Sequence, residues 1–125
     1  TNCVCYTGTH DNDTTQWFFE SLDDESLVLI ADYLTGEKNT ADSAKKLVKS
    51  KKLTKSLVKA ALSSTADLAV VPLQDIYALD SKARMNMPST SGANWAWRAD
   101  EKLISGEKAQ KTAEWLKNLC VLYAR

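Results

Sequence analysis

The sequence lacks the features that would place it in several large classes of protein. Its 125 residues carry 16 basic and 16 acidic side chains, so the formal net charge is zero and gives no reason to expect nucleic acid or an anionic membrane as a partner. No apolar run approaches the roughly 20 residues that cross a bilayer, and no signal peptide is evident. The length predicts one domain over residues 1–125.

Cysteine and histidine are scarce as well. Three cysteines are an odd number and do not make a disulfide framework, and a bond between Cys3 and Cys5 would be strained on a strand. One Cys-x-Cys pair with a single histidine falls short of a four-ligand zinc site. We therefore expect reduced, buried cysteines in a cytoplasmic protein, with no metal and no cofactor.

The single histidine lies in the most informative segment of the chain. Cys3–Tyr6 has the composition of a buried strand, and Gly8 with a run of short polar residues follows it. In that run His10 directly precedes Asp11. The carboxyl ends of parallel strands hold the catalytic residues of α/β enzymes, which favours a site here. A polar turn that ends in an Asx helix cap is the alternative interpretation.

A second strand and an unusual loop follow farther along the chain. The pattern of Leu68–Leu73 predicts another buried strand, and the loop after it contains Ala83–Pro88 and Asn94–Arg98. Tryptophans in a loop rich in Gly, Ser and Pro are poor core residues and commonly stack on flat ligands such as sugar faces. The alternative is that they fix the loop onto the body of the protein, with Arg98 stacked on a ring.

The remaining segments predict helices that act as scaffold. Acidic residues at Asp23–Glu25 favour the first turn of one helix, and Gly36 is expected to end it. Seven lysines between Lys45 and Lys59 are expected to form a solvated helix face rather than an anion-binding surface. A last helix is predicted from about Gly106 to Tyr123. The order of strand, helices, strand, long loop and helix is that of two successive β/α units.

These motifs resemble those of glycoside hydrolase family 77, the 4-alpha-glucanotransferases or amylomaltases. The matching segments are Tyr6–Thr15 (YTGTHDNDTT), Ala61–Leu73 (ALSSTADLAVVPL), Ala83–Pro88 (ARMNMP), Asn94–Arg98 (NWAWR) and the ending Leu119–Arg125. The resemblance covers nearly all of the chain. The sequence departs from the family at Gln16 and Ser89, where glycine is usual, and both positions are expected beside the cleft.

The resemblance implies an α/β fold made of the last two β/α units of a TIM (β/α)8 barrel, mostly helical with two parallel strands. Such a piece is about a quarter of a barrel, so the remainder of the barrel is an expected partner. The start at Thr1, without a methionine, is also what an excised fragment would show. Two parallel strands leave their edges unpaired, and self-association of the isolated fragment is therefore expected.

The resemblance also implies roles for particular residues. In the family, the aspartate of the His-Asp pair stabilises the transition state of a retaining exchange between α-1,4-glucans such as maltodextrins, and this role falls on Asp11. His10 would hydrogen-bond the same sugar in the donor subsite. Asn86 would contact substrate near the cleft, and Arg84 and Trp95 are further candidates, for which support of the loop is the alternative. The family's nucleophile and acid/base motifs do not occur in the chain, so the isolated fragment is expected to be inactive.

Two other classes of function remain open on the sequence. A stand-alone carbohydrate-binding module could use Trp17, Trp95 and Trp97 as a platform. Maltodextrin binding that survives loss of the Asp11 carboxylate, but not loss of these tryptophans, would favour this class. A structural interaction module could use the lysine-rich helix as its surface, and absence of glucan binding, even with the rest of a barrel present, would favour that class.

Overall fold

A computed structural model of the chain describes residues 2–125, and Thr1, the first residue of the expected fragment, lies outside the described residues. Within this range the elements follow the predicted order, with a strand and four helices, then a second strand and a last helix, but two short helices and a 3₁₀ turn interrupt the predicted long loop. The bounds are β1 Val4–Tyr6, α1 Thr15–Ser21, α2 Asp24–Thr35, α3 Ala41–Lys49, α4 Lys52–Leu62, β2 Leu68–Val70, α5 Leu73–Ile76, a 3₁₀ turn Ser81–Ala83, α6 Glu101–Ile104 and α7 Gly106–Leu122.

The two strands pair in parallel, as predicted, but they are not buried. Cys5 lies opposite Ala69 in the register, and both side chains are half-buried on the face that the helices cover. The opposite face carries large apolar side chains that are 36–55% exposed: Val4, Tyr6, Leu68 and Val70. The prediction of buried strands is therefore wrong for this chain, because helices cover only one face of the sheet. The prediction of buried cysteines is also wrong, because Cys3, which precedes β1, is exposed, and Cys5 and Cys120 are only half-buried.

The four helices between the strands enclose the first hydrophobic core. Asp23 caps α2 by accepting a hydrogen bond of 2.9 Å from the Ser26 N–H, and this bond holds the pKa of Asp23 below its usual value. Gly36 ends the helix at φ +72°, which confirms both predicted boundaries of α2. The buried side chains of this core are Phe19, Leu27, Ala31, Ala44, Val48 and Leu53.

The lysine-rich segment is helical and solvated, as predicted, but it is divided into two helices. Lys51 adopts φ +63°, a left-handed conformation, between the end of α3 and the start of α4. All seven lysines from Lys45 to Lys59 are exposed. Apolar side chains of α3 and of the first half of α4 face the first core, and the charged sides form the surface.

The last helix joins the second unit to the first. Leu119 of α7 packs with Val58 and Leu62 of α4 in a second core, beneath the half-buried Ala69 of β2. The guanidinium group of Arg125 donates hydrogen bonds to three backbone oxygens. They belong to Leu62, the last residue of α4, and to Ser64 and Ala66 in the connection that follows. The end of the chain is thereby fixed to the connection between α4 and β2. Of the helices within residues 2–125, none is long and apolar enough to cross a membrane.

Candidate functional site

The two loops that follow the strands meet at the carboxyl end of the sheet. Asn86 Nδ2 donates a hydrogen bond of 2.6 Å to Asp11 Oδ1, although 75 positions separate the two residues in the chain. His10 Nε2 lies 3.4 Å from the same oxygen. The His10 ring is tilted by 40° against the Trp95 ring, with 4.9 Å between their centroids. Four of the five predicted site residues therefore form a chain of contacts that runs from Asn86 through Asp11 and His10 to Trp95.

The fifth predicted residue, Arg84, ties the two loops together. Its Nη1 donates to Asp13 Oδ2 at 3.2 Å, its Nη2 donates to the backbone oxygen of Asp11 at 2.9 Å, and its Nε donates to the backbone oxygen of Asn86 at 2.8 Å. Each nitrogen of the guanidinium group thus already has an acceptor within the protein. This geometry favours loop support by Arg84, which the sequence left as an alternative to substrate contact.

Asp13 forms the inner part of the same network. Its side chain is only 8% exposed, and it accepts hydrogen bonds from the Ser81 hydroxyl at 2.7 Å and from the Thr14 N–H at 2.8 Å, besides the bond from Arg84. Asp13 is therefore a structural carboxylate, and Asp11 is the carboxylate that reaches the surface, with 51% of its side chain exposed.

Asp75 was not identified as a site residue from the sequence, although it lies shortly after the predicted second strand, within what the structure shows to be α5. It is 2% exposed. Its Oδ2 accepts a hydrogen bond of 2.6 Å from the Thr7 hydroxyl, and its Oδ1 accepts one of 3.0 Å from the Thr15 N–H. Thr7 and Thr15 stand at the two ends of the loop that carries His10 and Asp11. Asp75 therefore fixes both ends of that loop.

Trp95 is presented to the site by a constrained backbone. Its φ is +62°, a left-handed conformation that is rare for an aromatic residue and costs roughly 1–3 kcal/mol. The Trp95 N–H donates to the Met85 oxygen at 2.6 Å, and Arg98 Nη1 donates to the oxygens of Trp95 and Trp97 at 2.8 and 2.9 Å. Arg98 thus supports the loop through carbonyl groups. These bonds hold the ring against His10 with half of its surface exposed.

The site has a chemical character that suits a polyhydroxylated ligand. A small cavity of about 130 Å³ lies against the loop, lined by His10, Asp13, Asp75 and Arg84 among others. Among the described residues, two side chains reach the Asp11 carboxylate, those of His10 and Asn86, and both contact Oδ1. Oδ2 is thus left to accept hydrogen bonds from hydroxyl groups, and the His10 and Trp95 rings offer apolar faces beside it.

One departure from the family pattern lies away from the site, contrary to the prediction. Gln16 is 3% exposed within the helical layer. Its Nε2 donates to the Val48 oxygen at 3.1 Å and to Glu20 Oε1 at 2.7 Å, and its Oε1 accepts from the Thr54 hydroxyl at 2.9 Å. The side chain joins α1 to α3 and α4 because its amide satisfies polar groups buried between them.

The other departure has a local conformational cost. Ser89 lies in an exposed turn at φ +62°, where glycine avoids the steric penalty of Cβ. We expect Ser89→Gly to stabilise the folded chain by about 0.5–1 kcal/mol. Ser91→Gly is the matched control, since Ser91 is also exposed but is not among the positive-φ residues. It should be neutral or slightly destabilising. Urea denaturation gives the free energy of unfolding of both variants. Equal changes in that free energy would contradict a conformational cost specific to Ser89.

Comparison with solved structures defines the class of fold. An amylomaltase from Streptococcus agalactiae, solved in complex with acarbose, matches this chain with a TM-score of 0.78 and 24% sequence identity. The match covers 98% of this chain and 22% of that enzyme chain. The described residues thus have the fold of one part of that larger protein chain.

Comparison of sequences then gives the family. The family model described as 4-alpha-glucanotransferase matches residues 1–103. The chloroplastic/amyloplastic 4-alpha-glucanotransferase of Arabidopsis thaliana is 37% identical over 124 residues, which are 99% of this chain and 19% of that protein. A 4-alpha-glucanotransferase of Synechocystis is 41% identical over 97 residues, covering 78% of this chain and 17% of that protein. The chain belongs to the 4-alpha-glucanotransferase family, glycoside hydrolase family 77, and spans about a fifth of the length of these relatives.

Proposed function

We propose that this chain is part of a 4-alpha-glucanotransferase that transfers segments of α-1,4-glucan between maltodextrins, and that Asp11 supplies its transition-state-stabilising carboxylate. The observation that carries this proposal is the 2.6 Å hydrogen bond between Asp11 and Asn86 at the carboxyl ends of both strands. Family membership supports the reaction, and the acarbose bound to the Streptococcus agalactiae amylomaltase supports a sugar ligand.

The reaction requires two carboxyl groups besides Asp11. One attacks the anomeric carbon and forms a glycosyl-enzyme bond, while the other, about 5–5.5 Å away, donates a proton to the departing glycosidic oxygen. The hydroxyl of an acceptor glucan then attacks the anomeric carbon, loses its proton to the second carboxylate and releases the first. We assign both groups to parts of the whole enzyme that lie outside this chain.

Asp11 would act by binding the sugar more tightly as the reaction proceeds. Positive charge develops at the ring oxygen and anomeric carbon in the transition state, and hydroxyl groups on the same ring become stronger donors. A fixed anionic acceptor, Asp11 Oδ2, gains most from that change and can contribute several kcal/mol. The amide of Asn86 orients the carboxylate through Oδ1.

His10 and its neighbours complete the proposed donor subsite. The imidazole of His10 would hydrogen-bond the same sugar ring, and its contact with the Trp95 ring fixes its orientation. Asn86 is half-buried, and its amide oxygen remains an acceptor for a sugar hydroxyl. We assign Arg84 to positioning of the loops, because its three nitrogens already donate to protein oxygens.

We propose that the described units are the seventh and eighth of a (β/α)8 barrel and that residues 1–125 form one fragment of its catalytic domain. Parallel sheets are normally covered on both faces, whereas one face here carries four exposed apolar side chains from β1 and β2. The remaining strands of the barrel would cover that face. A reducing compartment such as the cytoplasm, the location we propose, suits the half-buried thiols Cys5 and Cys120.

Maltotriose disproportionation tests this assignment. The whole enzyme is expected to convert two maltotriose molecules into glucose and maltopentaose, and the isolated chain is expected to be inactive because it lacks the nucleophile and the acid/base. Chromatography of the products with each protein gives the result. Light scattering on the isolated chain shows whether the exposed strands cause self-association. Product formation by the isolated chain would contradict the proposal.

The alternative carbohydrate-binding platform finds no support in the positions of its three tryptophans. Trp95 contacts His10, whereas Trp97 lines a different depression with Leu79 and Leu103. Trp17 belongs to α1. Among residues 2–125 these three rings make no ring contact with one another.

A further inference from the structure

A second cavity, separate from the candidate glucan site, is lined by lysines. It has a volume of about 510 Å³ and lies among the first turns of α4 and α7 and the end of α5. Its charged lining residues are Lys51, Lys55, Glu107, Lys108 and Lys111. No lining residue is shared with the cavity beside His10 and Asp11. A ligand of this second cavity would therefore not compete directly for the first.

The cavity concentrates positive charge in a chain whose formal net charge is zero. Four lysines and one glutamate give a local formal charge of +3. The glutamate, Glu107, pairs with Lys111 at 2.5 Å. Among the described residues, no ion pair is formed by Lys51, Lys55 or Lys108. Three ammonium groups around one concave surface thus lack an anionic counterpart.

Two of these ammonium groups are held by aromatic rings. Lys55 Nζ lies 5.4 Å from the centroid of the Trp115 ring, and Lys108 Nζ lies 5.4 Å from the centroid of the Tyr77 ring. Tyr77 is itself fixed, because its hydroxyl donates to the Leu103 oxygen at 2.6 Å. These contacts restrict both side chains, so that less conformational entropy would be lost when an anion binds between them.

We propose that this lysine-lined cavity binds a small phosphorylated molecule, with a sugar phosphate as the chemical class. Lysine ammonium groups bind phosphate as point charges, and a phosphomonoester dianion is opposite in sign to the three unpaired ammonium groups of the cavity. The volume is within the range of small-ligand sites and accommodates a monosaccharide with its phosphate. Ile76 and the Tyr77 ring supply an apolar wall for the sugar, and the hydroxyl of Thr112 supplies a polar one. A neutral glucan would leave the ammonium groups unmatched.

Isothermal titration of the full-length protein tests the proposal, with glucose 6-phosphate and inorganic phosphate as probes and glucose as the neutral comparison. The cavity variant is Lys55→Gln with Lys108→Gln. The matched control, Lys59→Gln with Lys117→Gln, removes the same charge from exposed positions of the same two helices outside the cavity. We expect about a tenfold weaker Kd for glucose 6-phosphate in the cavity variant and less than about a twofold change in the control.

A second variant tests the site without altering a lysine. Thr112→Asp places a carboxylate in the cavity wall and is expected to weaken phosphate binding, because it lowers the local formal charge from +3 to +2 and repels the anionic ligand. Glucan transfer should remain unchanged in all three variants, since none of these residues contacts the proposed donor subsite. The proposal would be overturned if the Kd for glucose 6-phosphate rose equally in the cavity variant and the control. It would also be overturned if glucose bound as tightly as glucose 6-phosphate, or if neither phosphate probe bound.

Discussion

Asp11→Asn is expected to lower kcat for maltotriose disproportionation by the whole enzyme by about 10²- to 10³-fold or more. Asparagine keeps the shape of the side chain and an oxygen that can accept the hydrogen bond from Asn86. It removes the negative charge that we propose to interact with the developing oxocarbenium ion. Because that charge matters most in the transition state, KM should change much less than kcat. Initial rates over a range of maltotriose concentrations separate the two parameters.

Asp100→Asn is the control for a general effect of losing one carboxylate. Asp100 is exposed and caps α6 through the Lys102 N–H, a function that asparagine performs equally well. This variant should retain the wild-type kcat. Asp11 is itself half exposed, so the stability of Asp11→Asn should lie within about 0.5 kcal/mol of the wild type. A wild-type kcat in Asp11→Asn, or an effect confined to KM, would contradict the assigned role.

Local signals in the sequence predict the elements of the fold because each signal acts over a few residues. The acidic first turn and Gly36 place α2, and the apolar runs at Cys3–Tyr6 and Leu68–Leu73 place the strands, although β2 ends at Val70 and α5 begins at Leu73. Burial of those strands is a different kind of property, since it depends on which layers cover the sheet. The same apolar composition that suits a doubly covered strand occurs here on a sheet with one open face.

The site was predictable only in part, for a related reason. His10 and Asp11 belong to one short motif at the end of a strand, and the topology of parallel strands brings Asn86 and Trp95 to the same edge. The function of Arg84 depends on three acceptors supplied by two separate loops. No sequence pattern specifies such a set, so substrate contact and loop support could not be separated before the geometry was known.

Asp75 shows most clearly what tertiary structure adds. A lone acidic residue after a strand carries no motif, yet its side chain is 2% exposed and holds both ends of the loop around His10 and Asp11. Position in the chain gave no sign of these contacts, because Thr7 and Thr15 precede Asp75 by 68 and 60 positions. The packing of α5 against the loop creates the interaction.

Asp75→Ala is therefore expected to destabilise the loop by about 2–4 kcal/mol, because the Thr15 N–H and the Thr7 hydroxyl would each lose a buried acceptor. The loss of local stability is measurable in the whole enzyme as faster hydrogen–deuterium exchange over residues 7–15. Since the loop positions Asp11, kcat for maltotriose should fall together with the protection of these amides from exchange. Asp75→Asn should recover much of both, because its amide oxygen can still accept from the Thr15 N–H.

The control for this experiment is Asp42→Ala in α3, where the carboxylate is exposed in the first turn of the helix. It should leave exchange over residues 7–15 and kcat unchanged, with a stability loss below about 1 kcal/mol from the helix dipole. If Asp75→Ala lowered kcat without faster exchange in the loop, Asp75 would act on the chemistry by another route. If exchange increased while kcat stayed at the wild-type value, the order of this loop would not govern the position of Asp11. If Asp75 positions the loop, kcat and protection from exchange should both fall in Asp75→Ala, and both should recover in Asp75→Asn.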